Sequence, residues 1–236
     1  MSKISNAEAK AAVGKSLALA SVMLTLQMVI FYVSAGHGVG FRPWLFFAAS
    51  VVHYTISVVV QYKLNPGLLA QRLRIRRKGS KAWDEILMRV ANLTVLIAVP
   101  AMAGLDLGRY HWSNLHELFV LLGFALFGAS TLFLNWAMAV NPHFEPTVRI
   151  QKNRGHKVIS GGPYQIVRHP GYLAGILFTL SIPLIMGSVF TFVPVGVYIV
   201  LFVTRTWLED RTLQRELDGY SDYAKQVRYR LFPGVW

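Results

Sequence analysis

The sequence predicts an all-α polytopic membrane protein with about six transmembrane segments, the last two forming a short helical hairpin. Three observations carry this. Hydrophobic residues make up 54% of the 236 and charged residues only 15%, against about a quarter charged in a soluble domain. The apolar residues are gathered into long runs, and mean hydropathy is +0.42; runs of about 20 residues are what a bilayer core requires. The third observation is the placement of positive charge, which decides how many of the runs cross.

Taken in order, the expected spans are 17–35, 43–63, 90–108 and 115–140. The first is longer than the apolar core of a signal peptide, about 7–15 residues, and reads as a retained helix. The apolar stretch 171–204 is too long for one helix and suits two. Met186, Gly187 and Ser188 offer the turn, giving segments 171–186 and 189–207. All of the 24 Lys and Arg residues except Arg42 and Arg109 fall in four places: the N-terminus, the 63–89 loop, the 141–170 loop and the tail from 205. Six spans put those four places on one side, and the positive-inside rule makes that side cytoplasmic. Five spans would divide the last two clusters. Both termini are therefore expected in the cytoplasm. The net charge of +13 reads as topology and attraction to anionic membrane lipid, not as a nucleic-acid surface.

The absence of cysteine excludes disulfides, thiolate metal sites and cysteine nucleophiles. The seven histidines show no metal-ligand spacing, so no metal is expected. Within the basic loop at 64–89, Asn65-Pro66-Gly67 signals a turn. Leu68, Leu69, Leu73 and Ile75 follow at near-helical spacing beside arginines, as in an interfacial helix facing lipid headgroups. In the tail, Leu208, Leu213 and Leu217 lie near helical spacing and Gly219 is a helix stop.

The densest group of special residues is GPYQIVRHPGY, Gly162 to Tyr172. Pro163 and Pro170 push Gly162 and His169 away from helix, and Pro170 suits the first turn of the following span. The free N–H groups of that helix end attract an anionic group, with Arg168 and His169 beside them and Tyr164 and Tyr172 supplying rings. A second cluster, Arg205, Glu209 and Asp210, closes the last span. Arg205 and Glu209 are i, i+4, and ionisable groups at a membrane border are functional candidates. The plainer alternatives are a membrane-boundary turn with an aromatic belt and a helix-end ion pair. In the six-span arrangement the two clusters sit at the open ends of one hairpin, where they can meet.

GPYQIVRHPGY resembles the signature of the isoprenylcysteine carboxyl methyltransferase and phospholipid methyltransferase families. Arg205, Glu209, Asp210 and Leu213, followed by Tyr220, Tyr223, Arg230 and Pro233, resemble the family's C-terminal motif. NPHFEPTVRIQKNRGHKVIS (141–160) and LDLGRYHWS (105–113) are similar to segments of bacterial members. One departure is that Ala174, followed by Gly175, stands where the family usually has glycine. The resemblance implies a division into four transmembrane helices with a basic cytoplasmic loop (1–140) and a catalytic region (141–236) that carries a cytoplasmic, cofactor-binding C-terminal part. It also implies a bacterial inner-membrane location, S-adenosylmethionine as cofactor and a lipophilic or lipidated acceptor, such as the carboxylate of an isoprenylcysteine-like molecule. Arg205 and Glu209 would be catalytic. His156, Gly162, Tyr164, Arg168, His169, Pro170, Tyr172, Glu209 and Asp210 would bind cofactor, with Arg168 and His169 on its carboxylate and Glu209 on a ribose or ammonium group. Arg205 would clamp an acceptor carboxylate in bidentate fashion.

Two other readings stay open: an NADPH-dependent sterol-type membrane reductase, which has a similar Arg-His-x-x-Tyr stretch, and a receptor or transporter without catalysis. The first would favour Asn where Gly171 stands, and the second would favour polar residues in mid-membrane. His53, Gln27, Asn135 and Asn141 are expected to be satisfied by neighbouring helices, and His116 and Glu117 to lie at the outer interface.

Overall fold

The computed structural model describes residues 5–73 and 79–236, and among these the chain is helical with no strand. Ile75 and the basic residues Arg74, Arg76, Arg77 and Lys78 lie outside the described residues. Helix α1 (Asn6–Ala35) starts well before its apolar run because Ser5 and Glu8 form a capping box: the Ser5 hydroxyl accepts from the Glu8 N–H at 3.2 Å and the Glu8 carboxylate accepts from the Ser5 N–H at 2.9 Å. Helix α2 spans Arg42–Leu64 and α3, Pro66–Arg72, follows at once. Helix α4 (Ala82–Tyr110) contains two π-helical stretches, Thr94–Ala98 and Leu105–Tyr110. Pro100 has no N–H to donate backwards, which explains the wider turn just before it. Helices α5 (Leu118–Val140), α6 (Pro170–Met186), α7 (Phe192–Glu216) and α8 (Tyr220–Gln226) complete the chain.

Among the described residues five helices, α1, α2, α4, α5 and α7, are long and apolar enough to cross a membrane. The sixth, α6, has 17 residues, about 25 Å at 1.5 Å per residue. It is held along α5: a Cβ at Gly123 would meet Ile185 at 2.7 Å, and the Ser130 hydroxyl donates to the Ala174 carbonyl at 2.8 Å. The turn after α6 falls where expected, with Gly187 at φ +95°. Large apolar side chains such as Leu121, Leu132 and Val200 face outward, as an integral membrane protein requires. On the far side of the bundle α1 and α4 touch through Gly104 and Gly108, where Cβ atoms would meet Phe31 O at 2.3 Å and Ala35 Cβ at 2.5 Å. This is a small-xxx-small contact between membrane helices.

The interfacial helix is corrected by the structure. Leu68 and Leu69 are buried inside the protein, Leu69 against Ala12, Val13, Val58 and Tyr62. They anchor α3 under α1 and α2 rather than facing lipid headgroups.

Candidate active site

The GPYQIVRHPGY segment folds as its prolines and glycines dictate. Gly162 sits at φ +61°, and a Cβ there would lie 2.9 Å from the Trp136 indole nitrogen; only glycine fits this turn. Residues Gly162–Gln165 form a 3-10 turn, and Pro170 opens α6. A Cβ on Gly171 would run into the Phe144 ring at 2.3 Å. The backbone N–H groups of Arg168 and His169 donate to the carbonyls of Tyr229 and Arg230 at 2.9 and 3.0 Å. The C-terminal tail is thereby strapped across the motif.

Asp210 is the knot that holds this strap. It is fully buried and accepts from Arg168 Nε and Nη2 at 2.8 and 3.0 Å, from Arg230 Nε at 2.9 Å, from Gln214 at 2.8 Å and from the Tyr220 hydroxyl at 3.0 Å. The remaining nitrogen of Arg168 donates to the carbonyls of Ala224, Val227 and Arg228. Every nitrogen of that guanidinium is engaged within the protein, which leaves one Nη2–H for any ligand. His169 Nε2 lies 3.4 Å from Asp210, its ring stacks on Tyr172 with centroids 5.5 Å apart, and Nδ1 has no protein partner among the described residues.

Its neighbour Glu209 differs. Among the described residues its carboxylate has one hydrogen-bond partner, the Tyr172 hydroxyl, and no ion pair. Arg205 lies beside both, its guanidinium 4.7 Å from the centre of the Tyr172 ring. The helix-end ion pair of Arg205 with Glu209, the plainer alternative, does not form. Arg205 Nε instead donates to Asp84 at 2.6 Å and Nη2 to the Pro146 carbonyl at 2.7 Å. Two of its five N–H groups are thereby engaged, and Nη1 has no partner among the described residues. Asp84 also accepts from the Val148 N–H at 2.7 Å, so it ties the 141–160 segment to α4 and α7. The sequence reading missed Asp84 by starting the span at 90; a carboxylate three residues into a helix was the signal.

Arg205, Glu209, His169 and Tyr172 line a cavity of about 380 Å³. It opens among polar groups at the α6 N-terminus and continues between α2, α5, α6 and α7 to His53, Phe178 and Tyr198, so its walls come from both sides of residue 140. Of the residues expected at a site, Arg205, Glu209, His156, Tyr164, Arg168, His169, Pro170 and Tyr172 border it, whereas Gly162 and Asp210 do not. His143, Glu145, Tyr220 and Tyr223 also border it. Gly175 supplies the close approach that the Ala174 departure put at issue: a Cβ there would lie 2.9 Å from the Tyr198 hydroxyl, while Ala174 is fully buried with its methyl in place.

The 141–160 segment forms the cavity's roof. Burial, then the nearby His143, lowers the His156 imidazole to about 4. Burial likewise lowers His143, so both rings are neutral at pH 7. Burial alone would raise the Glu145 carboxyl, but hydrogen bonds from Arg149 and Gln71 outweigh it and hold the group ionised. Burial pushes the Tyr164, Tyr220 and Tyr223 phenols well up, so they remain hydroxyls.

Residues 118–218 match the model of the phospholipid methyltransferase family. The matched part holds helices α5 to α7 with the Gly162–Tyr172 motif and Arg205, Glu209 and Asp210, and the match supports a membrane methyltransferase in general. No curated protein matches the chain.

Proposed function

We propose that the protein transfers a methyl group from S-adenosylmethionine to a lipophilic acceptor at the membrane face, in a cavity that opens to the cytoplasm. The observation that carries the cofactor reading is Glu209. A carboxylate without a cationic partner, on a cavity wall beside the Tyr172 and His169 rings, suits a ligand that brings positive charge of its own. Both the sulfonium and the ammonium of S-adenosylmethionine meet that need. His169 Nδ1 adds an acceptor, and the hydroxyl-rich wall from Tyr220 to Tyr223 suits a nucleoside.

When bound, the cofactor supplies an electrophilic methyl group, and the chain's own residues supply placement. Tyr172 fixes the Glu209 carboxylate, and Asp84 and Pro146 fix Arg205 so that Nη1 addresses the cavity. An acceptor carboxylate is already ionised at pH 7, so no general base is needed and Arg205 holds it through its remaining N–H groups. The roof residues exclude water, which strengthens these charged contacts and keeps a reactive donor from hydrolysis. The apolar continuation of the cavity suits the acceptor's lipophilic body. The lopsided distribution of Lys and Arg supports a cytoplasmic opening in a bacterial inner membrane.

A thermal-shift titration of detergent-purified protein with S-adenosylhomocysteine, and separately with NADPH, tests this. A ligand that binds only the folded state raises its melting temperature with concentration. A saturable shift with S-adenosylhomocysteine alone is expected. A shift with NADPH alone would overturn the reading in favour of a reductase.

A further inference from the structure

The deep end of the cavity is not uniformly apolar. His53, at the middle of α2, is only 4% exposed and borders the cavity with Tyr54 and Tyr198. Its Nδ1 lies 2.8 Å from the Thr131 hydroxyl oxygen, and that hydroxyl lies 2.9 Å from the Phe127 carbonyl. The hydroxyl has one proton. Directed at the carbonyl, it separates two oxygens that would otherwise face each other with lone pairs alone. Thr131 then accepts from His53 Nδ1–H, which leaves Nε2 unprotonated, an acceptor. Among the described residues no protein group donates to Nε2, and none pairs with the Tyr54 or Tyr198 hydroxyls.

Two other polar side chains on its wall are satisfied. Ser130 donates to the Ala174 carbonyl, and Thr179 donates to the carbonyls of Gly175 and Ile176 at 3.0 and 3.1 Å. The unpaired groups at this depth are therefore His53 Nε2 and the Tyr54 and Tyr198 hydroxyls. A saturated or isoprenoid tail filling this space would strip water from three polar groups and return no hydrogen bond, which is costly in a low-dielectric interior. An acceptor with its own hydroxyl at that depth would restore the bond. The His53 ring packs on Phe178 at 5.1 Å, and Phe178 lies six residues along α6 from Tyr172, about 9 Å at 1.5 Å per residue.

From this geometry we infer that the deep chamber selects a hydroxylated lipophilic acceptor. Its hydroxyl donates to His53 Nε2, roughly 9 Å by helix rise from the end of the molecule held at Tyr172 and Arg205. The inference rests on the methyltransferase reading for the identity of the chamber's occupant as an acceptor. His53 acts as a specificity residue, remote from the reacting atoms.

The probes are stearate and hydroxystearates with the hydroxyl near the carboxylate, at mid-chain or near the tail. Their affinities are measured on the full-length protein in detergent, for wild type, His53→Phe and His53→Gln. Wild type is expected to bind the mid-chain hydroxystearate about tenfold more tightly than stearate, the scale of one well-made hydrogen bond. His53→Phe is expected to lose that preference while binding stearate as before, and His53→Gln, which keeps a side-chain acceptor, to retain part of it. Equal affinities in wild type, a preference that survives His53→Phe, or binding of none of the probes would overturn the inference. S-adenosylhomocysteine is titrated in parallel. A cofactor shift without hydroxyl preference removes this inference alone. A hydroxyl preference without a cofactor shift removes the methyltransferase reading and leaves a hydroxylipid site.

Discussion

The two ends of the helical bundle use charge in opposite ways. At the end where α1, α4 and α6 finish, Arg42 donates to the carbonyls of Ile185, Leu115 and Leu184 at 3.0, 2.6 and 2.7 Å, and Arg109 donates to those of Ser34 and Val33. These guanidiniums satisfy carbonyls that helix ends leave without partners. Asp106, buried there, accepts from Ser113 and Ser188. At the opposite end the charges surround a cavity, and the adjacent carboxylates Glu209 and Asp210 divide the labour. Asp210 is surrounded by donors; Glu209 has one. The difference teaches that a membrane helix bundle can close both ends with arginine, but a ligand site needs groups whose partners have been left out.

Breaking the knot should give the largest effect. Asp210→Ala strands Arg168 and Arg230, and losing one partner of a buried ion network costs about 3–5 kcal/mol. A large fall in melting temperature is expected, with early proteolysis after residue 216. At the opposite end, Arg42→Met should cost about 2 kcal/mol through the lost charged hydrogen bonds yet leave S-adenosylhomocysteine affinity per folded molecule unchanged; a matched loss of affinity would erase the contrast between the ends. Gly175→Ala presses a methyl group toward the Tyr198 hydroxyl and should cost about 1–3 kcal/mol as overpacking, read by chemical denaturation.

Acid should act on the roof. His156 is lowered to about 4 in the folded chain from an ordinary value of 6.5, so between those values the unfolded segment binds the extra proton. The stability that neutral His156 contributes is complete above about pH 6.5 and is lost as pH falls toward 4. Protection factors of residues 141–160, corrected for the intrinsic pH dependence of amide exchange, should therefore fall over that interval while those of α5 and α6 hold. A pH-independent roof would show that the ring is not held neutral.

Much of this was legible in the sequence. The span runs, the Met186-Gly187-Ser188 turn and the Pro170 helix start are local properties of composition and backbone restriction, so a linear reading reaches them. Ser5 and Glu8 were equally local, and the apolar run drew attention past them. The meeting of the motif with Arg205, Glu209 and Asp210 followed from hairpin geometry. Their roles did not. Whether a carboxylate is engaged or left open depends on donors from distant segments: Arg168, Tyr220 and Arg230 converge on Asp210, and Asp84 draws Arg205 away from Glu209. Leu68 and Leu69 show the same limit, since an apolar helical face beside arginines looks alike whether lipid or α1 covers it. His53 was expected to be satisfied by a neighbouring helix; Thr131 satisfies one ring nitrogen and leaves the other to the cavity.

The most direct measurement compares Glu209→Gln with Asp210→Asn in an S-adenosylhomocysteine titration followed by thermal unfolding. The account predicts that Glu209→Gln melts with the wild type but shows no ligand-dependent shift, whereas Asp210→Asn melts far lower and still shifts upward with ligand. A Glu209→Gln variant that binds S-adenosylhomocysteine as tightly as wild type would contradict it.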